Sequence, residues 1–584
     1  MQTSMEKCKN CSTNFLIREE DKKFLSRISP VFKNQKYEMP HPTFCPDCRM
    51  QRRLSHRNER HLYKRICDFS KKNIISVYSP DKLLKVYDHE IWWSDKWDAR
   101  SYGRSFDFNK TFFEQFHELQ KEVPRMSMII SHCENSNYAP YSVASRNCYM
   151  CVSVVGSEDI LYSYQANASQ DCTDCSLCYG CELCYECIYC VKLYHSSYCV
   201  NCKDSSDLFL CRDCQNCDRC IGCTNLRNKK LHIFNKPVTE EEYQKYIQIS
   251  SSYSLTQNIQ QKFQDFSHQF PHRENYNINC DNITGDHLLN CKNAYHCFEA
   301  ELLEDCAYIY TLPSGAKDCY DCHYTQKAEL VYEAISGVQS YNCAFVLHSW
   351  NTKNSFYVDE CFYSNYLFGC IGLKKNEYCI LNKQYTKEEY ENLVPRIIQH
   401  MGGDKAFSRR ELEAEQGACL SGRSTERSEF KNQEWGNYFP TEISLFAYNE
   451  SIANEFVPMT KEKILEKKWK WKEDTENTYV EQNYEIPDDI KNIKDEITSE
   501  ILACTQCKKN FRIIAPELKF YQKMNLPIPR LCPNCRNAHR MEFRVQRKLL
   551  ERNCSKCAKK IQTSYSKEKT KIILCEKCYL DQIV

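Results

Sequence analysis

The sequence predicts a multidomain α+β protein in which two narrow β-solenoids, with twelve-residue coils and helical caps, lie between four-cysteine modules at the two ends of the chain. Three observations predict this fold. Cys-x-x-Cys pairs occur near both termini, a twelve-residue period runs through the cysteine-rich middle, and that middle block recurs 147 residues later, from Asp171 to Asp318. A chain of 584 residues is long enough for several such cores.

Each end of the chain carries two Cys-x-x-Cys pairs. The first set is Cys8, Cys11, Cys45 and Cys48, and the second is Cys504, Cys507, Cys532 and Cys535. A tight turn directs both thiolates of a pair at one point, and two pairs complete the tetrahedron that zinc takes in structural sites. Because four thiolates leave no position for water, we expect structural zinc and not a hydrolytic centre.

The two ends match each other beyond these pairs, since Cys48 to Cys67 is the same interval as Cys535 to Cys554. The C-terminal copy continues with a third four-thiol set, formed by Cys554, Cys557, Cys575 and Cys578. In the N-terminal copy only Cys67 survives, so we expect that region to be metal-free and packed by Trp92 and Trp93. A relic site with Cys67 and His89 would need two further ligands. About three zinc ions per chain are therefore expected.

These motifs carry a resemblance. Each end has a Cys-x-x-Cys pair, a phenylalanine four residues later (Phe15 or Phe511) and then Cys-Pro-x-Cys-Arg. Over about 45 residues, this order of motifs resembles the zinc-ribbon family of treble-clef type. The resemblance implies zinc binding and names no partner. The whole chain, including Trp92-Trp-Ser-Asp-Lys-Trp97 and Tyr448-Asn-Glu-Ser451, resembles uncharacterised cysteine-rich zinc-binding proteins of reduced-genome bacteria, which implies no activity.

The middle of the chain has a twelve-residue period. Every twelfth residue from position 139 is small: Ala139, Cys151, Ser163, Cys175, Cys187, Cys199, Cys211 and Cys223. A short fixed period indicates stacked units that share one core, as in a β-solenoid. A twelve-residue coil is so narrow that its interior accepts mainly small side chains, and free cysteine behaves there as a small hydrophobe. Asx residues mark the predicted corners: Asn147, Asp159, Asp171 and Asp207.

The second copy of this block is poorer in cysteine. Val331, Val346 and Val358 occupy its column positions, which favours packing over an obligatory metal array. The two solenoids are predicted to span 136–231 and 283–378, with about eight coils each. Each leads into a helical cap through a capping box, Thr239 with Glu242 or Thr386 with Glu389.

The sequence divides into eight predicted segments. The N-terminal side contains a treble-clef zinc module with a basic helix (1–70), a degenerate second zinc-module region with an amphipathic helix at 109–123 (71–134), and the first solenoid with its cap (135–238). The remaining segments are a helical linker (239–281), the second solenoid with its cap (282–385), a helix, polar linker and aromatic docking segment (386–500), a treble-clef zinc module (501–553) and a second C-terminal four-cysteine ribbon (554–584).

Composition bounds the compartment and the partners. The count of 41 cysteines is odd, the chain is long and its start lacks an apolar signal region, so reduced thiols in the cytoplasm are expected, with an oxidised state as the alternative. No stretch approaches the length of a spanning helix, so no membrane partner is expected. The net charge of +2 hides basic segments after two cysteine pairs.

These basic segments favour nucleic acid, RNA in particular, as a partner. Arginines spaced by three and four residues would share a helical face beside a zinc knuckle, and guanidinium groups suit phosphate. The candidate contacts are Arg49, Arg52, Arg53, Arg57, Arg60, Lys64, Arg536, Arg540, Arg544, Arg547 and Lys548. One alternative is a scaffold for protein partners with no nucleic acid, and another is a redox or iron-sulfur protein that uses the solenoid cysteines. We find no catalytic motif and no small-molecule substrate, so we expect no enzyme.

Overall fold

The computed structural model describes residues 3–312, 314–402, 433–473 and 479–583. The chain is a mixed α and β protein with many strands, and it divides into two compact units. Unit N comprises Met1–Ser127 and Tyr276–Lys472, and unit C comprises Met128–Asn275 and Glu473–Val584. Each unit therefore joins segments that are far apart in sequence. The predicted linker, 402–433, lies almost wholly outside the described residues.

Unit N contains the N-terminal cysteine set and a sheet of eleven strands among its described residues. We call this the sheet of unit N, and its strands are Asp281–Leu289, Lys292–Glu301, Leu303–Ala307, Tyr310–Leu312, Ala316–His323, Ala328–Ile335, Tyr341–Leu347, Lys353–Asp359, Asn365–Phe368, Glu377–Ile380 and Lys383–Gln384. Short strand pairs are formed by Ser4–Lys7, Asn14–Ile17, Val31–Phe32, Gln35–Lys36, Tyr63–Ile66, Asn73–Ser76, Val86–Tyr87 and Arg125–Met126. The α-helices are Glu19–Ile28, Pro46–Leu54, His89–Trp93, Phe112–Glu122, Lys387–His400, Ala453–Phe456 and Lys461–Glu466.

Unit C contains the two C-terminal cysteine sets and a sheet of ten strands among its described residues. The strands of this sheet of unit C are Glu158–Leu161, Tyr164–Asn167, Gln170–Thr173, Ser176–Tyr179, Glu182–Tyr185, Val191–Ser197, Lys203–Phe209, Asp218–Ile221, Lys230–Ile233 and Lys236–Pro237. The other strands of unit C are His272–Arg273, Leu502–Ala503, Asn510–Phe511, Leu550–Asn553, Lys560–Thr563 and Ile573–Leu574. The α-helices are Glu240–Ile247, Tyr253–Ser267, Ala515–Lys523, Pro533–Phe543 and Glu576–Ile583.

Strands pair in parallel in both sheets, except for the last strand of each, which is antiparallel. Cys172 pairs with Ile160 on one side and with Cys184 on the other, twelve residues away each time. Val331 pairs with Cys319 and Cys343 at the same interval. The interval departs from twelve near the start of the sheet of unit N. It is eleven from Asp281 to Lys292 and thirteen from Leu303 to Ala316.

The predicted corner residues adopt left-handed backbone. The φ angles are 54° at Asn147, 56° at Asp159, 48° at Asp171 and 51° at Asp207. Asx residues tolerate this conformation better than other side chains with a Cβ. The side-chain amide of Asn147 also donates to Asp159, at 2.9 Å. Many residues of other types in the same repeat region share this backbone, among them Tyr162 and Leu177, so positive φ does not by itself mark corners.

Cysteine dominates a buried hydrophobic cluster of unit C. Cys175, Cys187 and Cys199 are completely buried, and the Cys175 N–H donates to the hydroxyl of Ser163, its predicted column neighbour, at 3.0 Å. Valine takes the same role in unit N, where Val331 is completely buried. The helices that follow both sheets begin with the predicted capping boxes at Thr239 and Thr386.

Two flanking segments of unit N pack on its sheet. The amphipathic helix Phe112–Glu122 places Phe112 4.9 Å from the ring of Tyr357 and 5.6 Å from that of Phe368. Trp435, from the predicted docking segment, is buried, and its indole N–H donates to the Glu38 carbonyl at 2.9 Å. Trp435 also lies 6.0 Å from the ring of Phe356, a residue of the sheet of unit N. No helix among the described residues has the length and apolar character needed to cross a membrane.

Candidate metal centres

The structure brings each of the three predicted cysteine sets together. In each set the four sulfur atoms lie within 4.8 Å of one another, which is the arrangement that could hold a metal ion. The sets are Cys8, Cys11, Cys45, Cys48; Cys504, Cys507, Cys532, Cys535; and Cys554, Cys557, Cys575, Cys578. Four thiol donors and no oxygen ligand suit a soft divalent metal such as zinc.

Local backbone structure places the first set. The hairpin of Ser4–Lys7 and Asn14–Ile17 encloses the turn that holds Cys8 and Cys11, with Ser12 in left-handed backbone. The second pair begins the helix Pro46–Leu54, where Cys45 is the N-cap residue and proline takes the first position. Pro46 suits this place because its missing N–H would have had no helical partner there.

Hydrogen-bond donors face the sulfur atoms of this set. The backbone N–H of Cys45 donates to Cys8 Sγ at 3.3 Å, and the side-chain amide of Asn10 donates to Cys48 Sγ at 3.2 Å. A hydrogen bond from Cys48 lowers the pKa of Cys45 to about 5, against the opposing effect of burial. Donors aimed at sulfur stabilise the thiolate, which is the form that binds metal.

The two sets of unit C are built in the same way. Cys532 is the N-cap of the helix Pro533–Phe543, and the turn between the paired strands Leu550–Asn553 and Lys560–Thr563 holds Cys554 and Cys557. Burial opposes ionisation of Cys504, but the backbone N–H groups of Cys507 and Cys532 lower the pKa of its thiol to about 6. The pKa of Cys554 is also lowered to about 6, by the backbone N–H groups around it.

The segment around Cys67 has a hairpin like that of the third set but retains one of its four thiols. The hairpin of Tyr63–Ile66 and Asn73–Ser76 has the register of the corresponding hairpin in unit C. The N–H groups of Ser70 and Asp88 both donate to Cys67 Sγ at 3.3 Å. Trp92 is completely buried, 5.2 Å from the ring of Trp93, which confirms the predicted tryptophan packing.

The thiols of the repeat region contact backbone carbonyls. The thiol of Cys187 donates to the carbonyls of Tyr185 and Ser196, at 3.5 and 3.6 Å. Cys175 makes the equivalent contacts with Thr173 and Cys184, and burial raises the pKa of its thiol well above 9. Within the described ranges, the groups of three or more close ligand atoms are the three sets above. The thiols of this interior are thus occupied as hydrogen-bond donors.

The residues predicted to contact phosphate take a different place in unit N. The helix Pro46–Leu54, which we call the arginine helix of unit N, lies against the sheet of the same unit. Arg49 pairs with Asp321 at 2.9 Å, and Arg53 pairs with Asp321 and Glu333 at 3.1 Å each. All four side chains are at most 4% exposed. Their charges are neutralised inside the protein.

Unit C repeats this contact. Its arginine helix, Pro533–Phe543, places Arg536 2.9 Å from Asp174 and Arg540 2.7 Å from the same carboxylate. Arg540 also pairs with Glu186 at 3.2 Å, as Arg53 does with Glu333. The two docking contacts thus use arginines at matching positions of the cysteine modules and acids at matching positions of the two repeats.

The remaining predicted phosphate contacts lie largely outside the helices, which end at Leu54 and Phe543. Three of them form ion pairs: Arg52 with Glu333, Arg57 with Glu59, and Arg60 with Glu455. The Arg544 guanidinium lies 4.9 Å from the centre of the Tyr164 ring, and Arg547 is buried. Lys64 and Lys548 are exposed.

The predicted phosphate-binding role is therefore corrected for four arginines, which are buried and paired with carboxylates: Arg49, Arg53, Arg536 and Arg540. Sequence reasoning missed their acidic partners, although the signal was present. Asp174 and Asp321 recur at matching positions of the two blocks, as do Glu186 and Glu333. The carboxylates recur in both sheets and the arginines recur at both ends of the chain. The two sets are therefore complementary in charge.

Comparison with known proteins adds little to this geometry. No protein-family model and no curated protein matches the chain. Among solved structures, the chain is similar to a crystal structure from Desulfovibrio desulfuricans G20 that is named for an acetyltransferase. That match covers 44% of this chain and 71% of that chain at 9% identity, with a TM-score of 0.10. A likeness at this level carries no argument about fold or activity.

Proposed function

We propose that the chain is a non-catalytic zinc-binding scaffold for protein partners, in which the bound metal orients each arginine helix for docking on the sheet of its own unit. The observation that carries this proposal is the buried pairing of Arg53 with Asp321, repeated by Arg540 with Asp174. Arginines committed to internal carboxylates act as structural contacts.

The position of the cysteines links metal binding to this docking. Cys45 is the N-cap of the arginine helix of unit N and Cys48 lies in its first turn, and Arg49 and Arg53 follow on one face of the same helix. A metal held by these thiols would fix the direction in which both guanidinium groups point. In small modules of this kind, metal binding supplies much of the folding free energy.

We further propose zinc as the metal, since four thiolates in a closed set are typical of structural zinc. We propose that the modules are of the zinc-ribbon or treble-clef type. The parallel sheets would be narrow β-solenoids with twelve residues per coil, because strands pair at that interval with small residues between them. Free thiols in the core fit a reducing compartment, so we place the protein in the cytoplasm.

Nucleic-acid binding, with RNA favoured, is the second candidate. Among the residues first considered for it, Lys64 and Lys548 are exposed and could contact phosphate. We give this function second place because the arginines that suggested it are paired with carboxylates. A redox or iron-sulfur role has less support, since the thiols of the repeat region donate to backbone carbonyls.

Filter binding of structured and single-stranded RNA to the zinc-loaded full chain distinguishes the two candidates. We expect weak binding that Lys64→Glu/Lys548→Glu reduces little, because a pair of exposed lysines neutralises only about two phosphates. Strong binding at low salt, abolished in this double variant, would instead make RNA the partner. Capture of RNA during purification would point the same way.

A further inference from the structure

The first cysteine set receives a hydrogen bond from a side chain as well as from the backbone. Cys48 Sγ accepts the side-chain amide of Asn10 at 3.2 Å, whereas Cys8 Sγ accepts the backbone N–H of Cys45 at 3.3 Å. A backbone donor is present whatever the residue, but a side-chain donor depends on the residue type. A substitution at Asn10 can therefore remove its contact with the sulfur while the backbone stays in place.

A lysine from far along the chain fixes the orientation of the Asn10 amide. Lys467 Nζ donates to Asn10 Oδ1 at 3.1 Å. Because an ammonium group only donates hydrogen bonds, the carbonyl end of the amide must face Lys467. The NH₂ end of the amide is then directed at Cys48 Sγ. Lys467 thus determines which end of Asn10 the sulfur meets, and it brings a positive charge close to the set.

The segment that carries Lys467 is anchored on the arginine helix of unit N. Lys467 follows the helix Lys461–Glu466, and its Nζ lies 5.2 Å from the centre of the Trp469 ring. The Trp469 ring stacks on that of Tyr448 at 5.3 Å, and the Tyr448 hydroxyl accepts from Gln51 Nε2 at 2.8 Å. Gln51 belongs to the arginine helix. These contacts position the lysine without involving Asn10.

The residue that corresponds to Asn10 differs in the other two sets. Asn10 is the third residue of Cys8-Lys-Asn-Cys11, and its counterparts in the second and third sets are Gln506 and Lys556. Both counterparts are exposed. The contact between Asn10 and sulfur is therefore a property of the first set and not of the Cys-x-x-Cys motif itself.

We propose that Asn10 and Lys467 strengthen metal binding by the first cysteine set, so that segment 460–472 controls how firmly this set retains its metal. The proposal rests on metal binding by the set. A divalent metal with four thiolates leaves a net negative charge on the site, which hydrogen-bond donors and cations stabilise. Asn10 acts on the thiolate directly, and Lys467 acts through Asn10.

Zinc-buffered chelator solutions, combined with alkylation of released thiols, test this proposal in the full chain. N-Ethylmaleimide labels the thiols of a set that has lost its metal, and peptide mass spectrometry assigns the label to one of the three sets. Asn10→Ala should raise the free zinc concentration at half-labelling of the first set by about tenfold, since hydrogen bonds to metal ligands contribute about 10- to 100-fold in affinity. Lys467→Met should raise it by about two- to tenfold, because the amide loses the hydrogen bond that orients it.

Asn10→Asp separates donation to the sulfur from a purely structural role of the side chain. The aspartate keeps an acceptor for Lys467 but places an oxygen where the NH₂ group faced Cys48. We expect a loss of zinc affinity at least as large as in Asn10→Ala, whereas a structural role predicts the native midpoint. Gln506→Ala, at the matching position of the second set, is the control and should leave the midpoints of all three sets unchanged.

The outcomes distinguish this proposal from metal binding itself. Native midpoints of the first set in Asn10→Ala and Asn10→Asp would overturn the role of Asn10 while metal binding by the set stands. A native midpoint in Lys467→Met would overturn control by segment 460–472, and equal shifts in all three sets would show that the effect does not come from the contact with Cys48. First-set thiols that are labelled at every zinc concentration in the native chain would contradict both the proposal and metal binding by this set.

Discussion

Arg53 lies 3.1 Å from Glu333, and neither side chain is more than 1% exposed. Arg540 and Glu186 repeat the pair at 3.2 Å on the other sheet. Removing one partner of a buried ion pair leaves the other charge uncompensated. The docking of both cysteine modules therefore depends on buried charges, which in unit C include Asp174, paired with Arg540 at 2.7 Å.

Arg53→Met should destabilise unit N by about 3 to 5 kcal/mol, because it leaves Glu333 and Asp321 short of a counter-charge. Denaturant unfolding of the full chain measures this loss. Arg53→Met/Glu333→Leu should recover much of it, since a hydrophobic pair can replace a buried ion pair. Lys64→Met, at an exposed cation, is the control and should change stability by no more than about 0.5 kcal/mol. Equal effects of Arg53→Met and the control would contradict buried docking.

Cys187→Leu should destabilise unit C by about 1 to 3 kcal/mol, because the thiol is completely buried and leucine adds two heavy atoms to a packed core. Thermal or denaturant unfolding measures the effect. Tyr179→Leu, at a 57% exposed position on the same sheet, is the control. Equal unfolding free energies for Cys187→Leu and Tyr179→Leu would show that the core around Cys187 has room for a larger side chain, which would contradict tight packing there.

Glu360 gives unit N a pH dependence. Burial raises the pKa of this carboxyl to about 7, and the neighbouring carboxylate of Asp359 also raises it. Arg125, 3.1 Å away, lowers the pKa but does not outweigh burial. Tyr78 donates to it at 3.4 Å, and His348 faces Asp359 at 4.0 Å. Between about pH 4.5 and pH 7 the folded state keeps a proton that the unfolded state has lost, so stability falls as pH rises through this window.

Glu360→Gln should remove that fall, which is on the order of 1 to 3 kcal/mol over the window. The measurement is the difference in unfolding free energy between variant and native chain at several pH values. Contributions common to both, including that of His348, cancel in this difference. Glu329→Gln changes an exposed carboxyl of the same sheet and serves as the control. A difference that does not vary with pH for Glu360→Gln would show that the carboxyl is ionised throughout.

Cys532→Ser should release the metal of the second set and free the arginine helix of unit C, because Cys532 is both a member of the set and the N-cap of that helix. Metal content should fall by about one ion per chain, since a structural set does not close with three ligands. Increased proteolysis near Arg536 would report the undocked helix. Ser70→Cys changes the equivalent hairpin of unit N, outside the three sets, and should leave metal content unchanged. Full metal content in Cys532→Ser would remove the second set from the account.

The sequence predicted the features that depend on local or repeated geometry. Cysteine pairs such as Cys8 and Cys11 are brought together by one turn, so their grouping follows from spacing. The twelve-residue columns gave the pairing of Cys172 with Cys184, because parallel neighbours recur at a fixed interval. The interval of thirteen between Leu303 and Ala316 was not foreseen, since one extra residue leaves no signal in composition.

The partners of the arginines could not be predicted by the same reasoning. Arg49 and Asp321 are 272 residues apart, and nothing local to either residue selects the other. A row of arginines after a zinc knuckle satisfies the pattern of a phosphate-binding helix and that of a buried docking helix equally well. Burial decides between the two, and burial depends on tertiary contacts.

Elemental analysis of the full chain, purified under reducing conditions without chelator, tests the central claim most directly. The account predicts about three zinc ions per chain, one for each set of four sulfurs within 4.8 Å. Two or fewer ions would remove at least one set. About six or more would mean that the thiols of the repeat region bind metal as well, which contradicts a packing role for them.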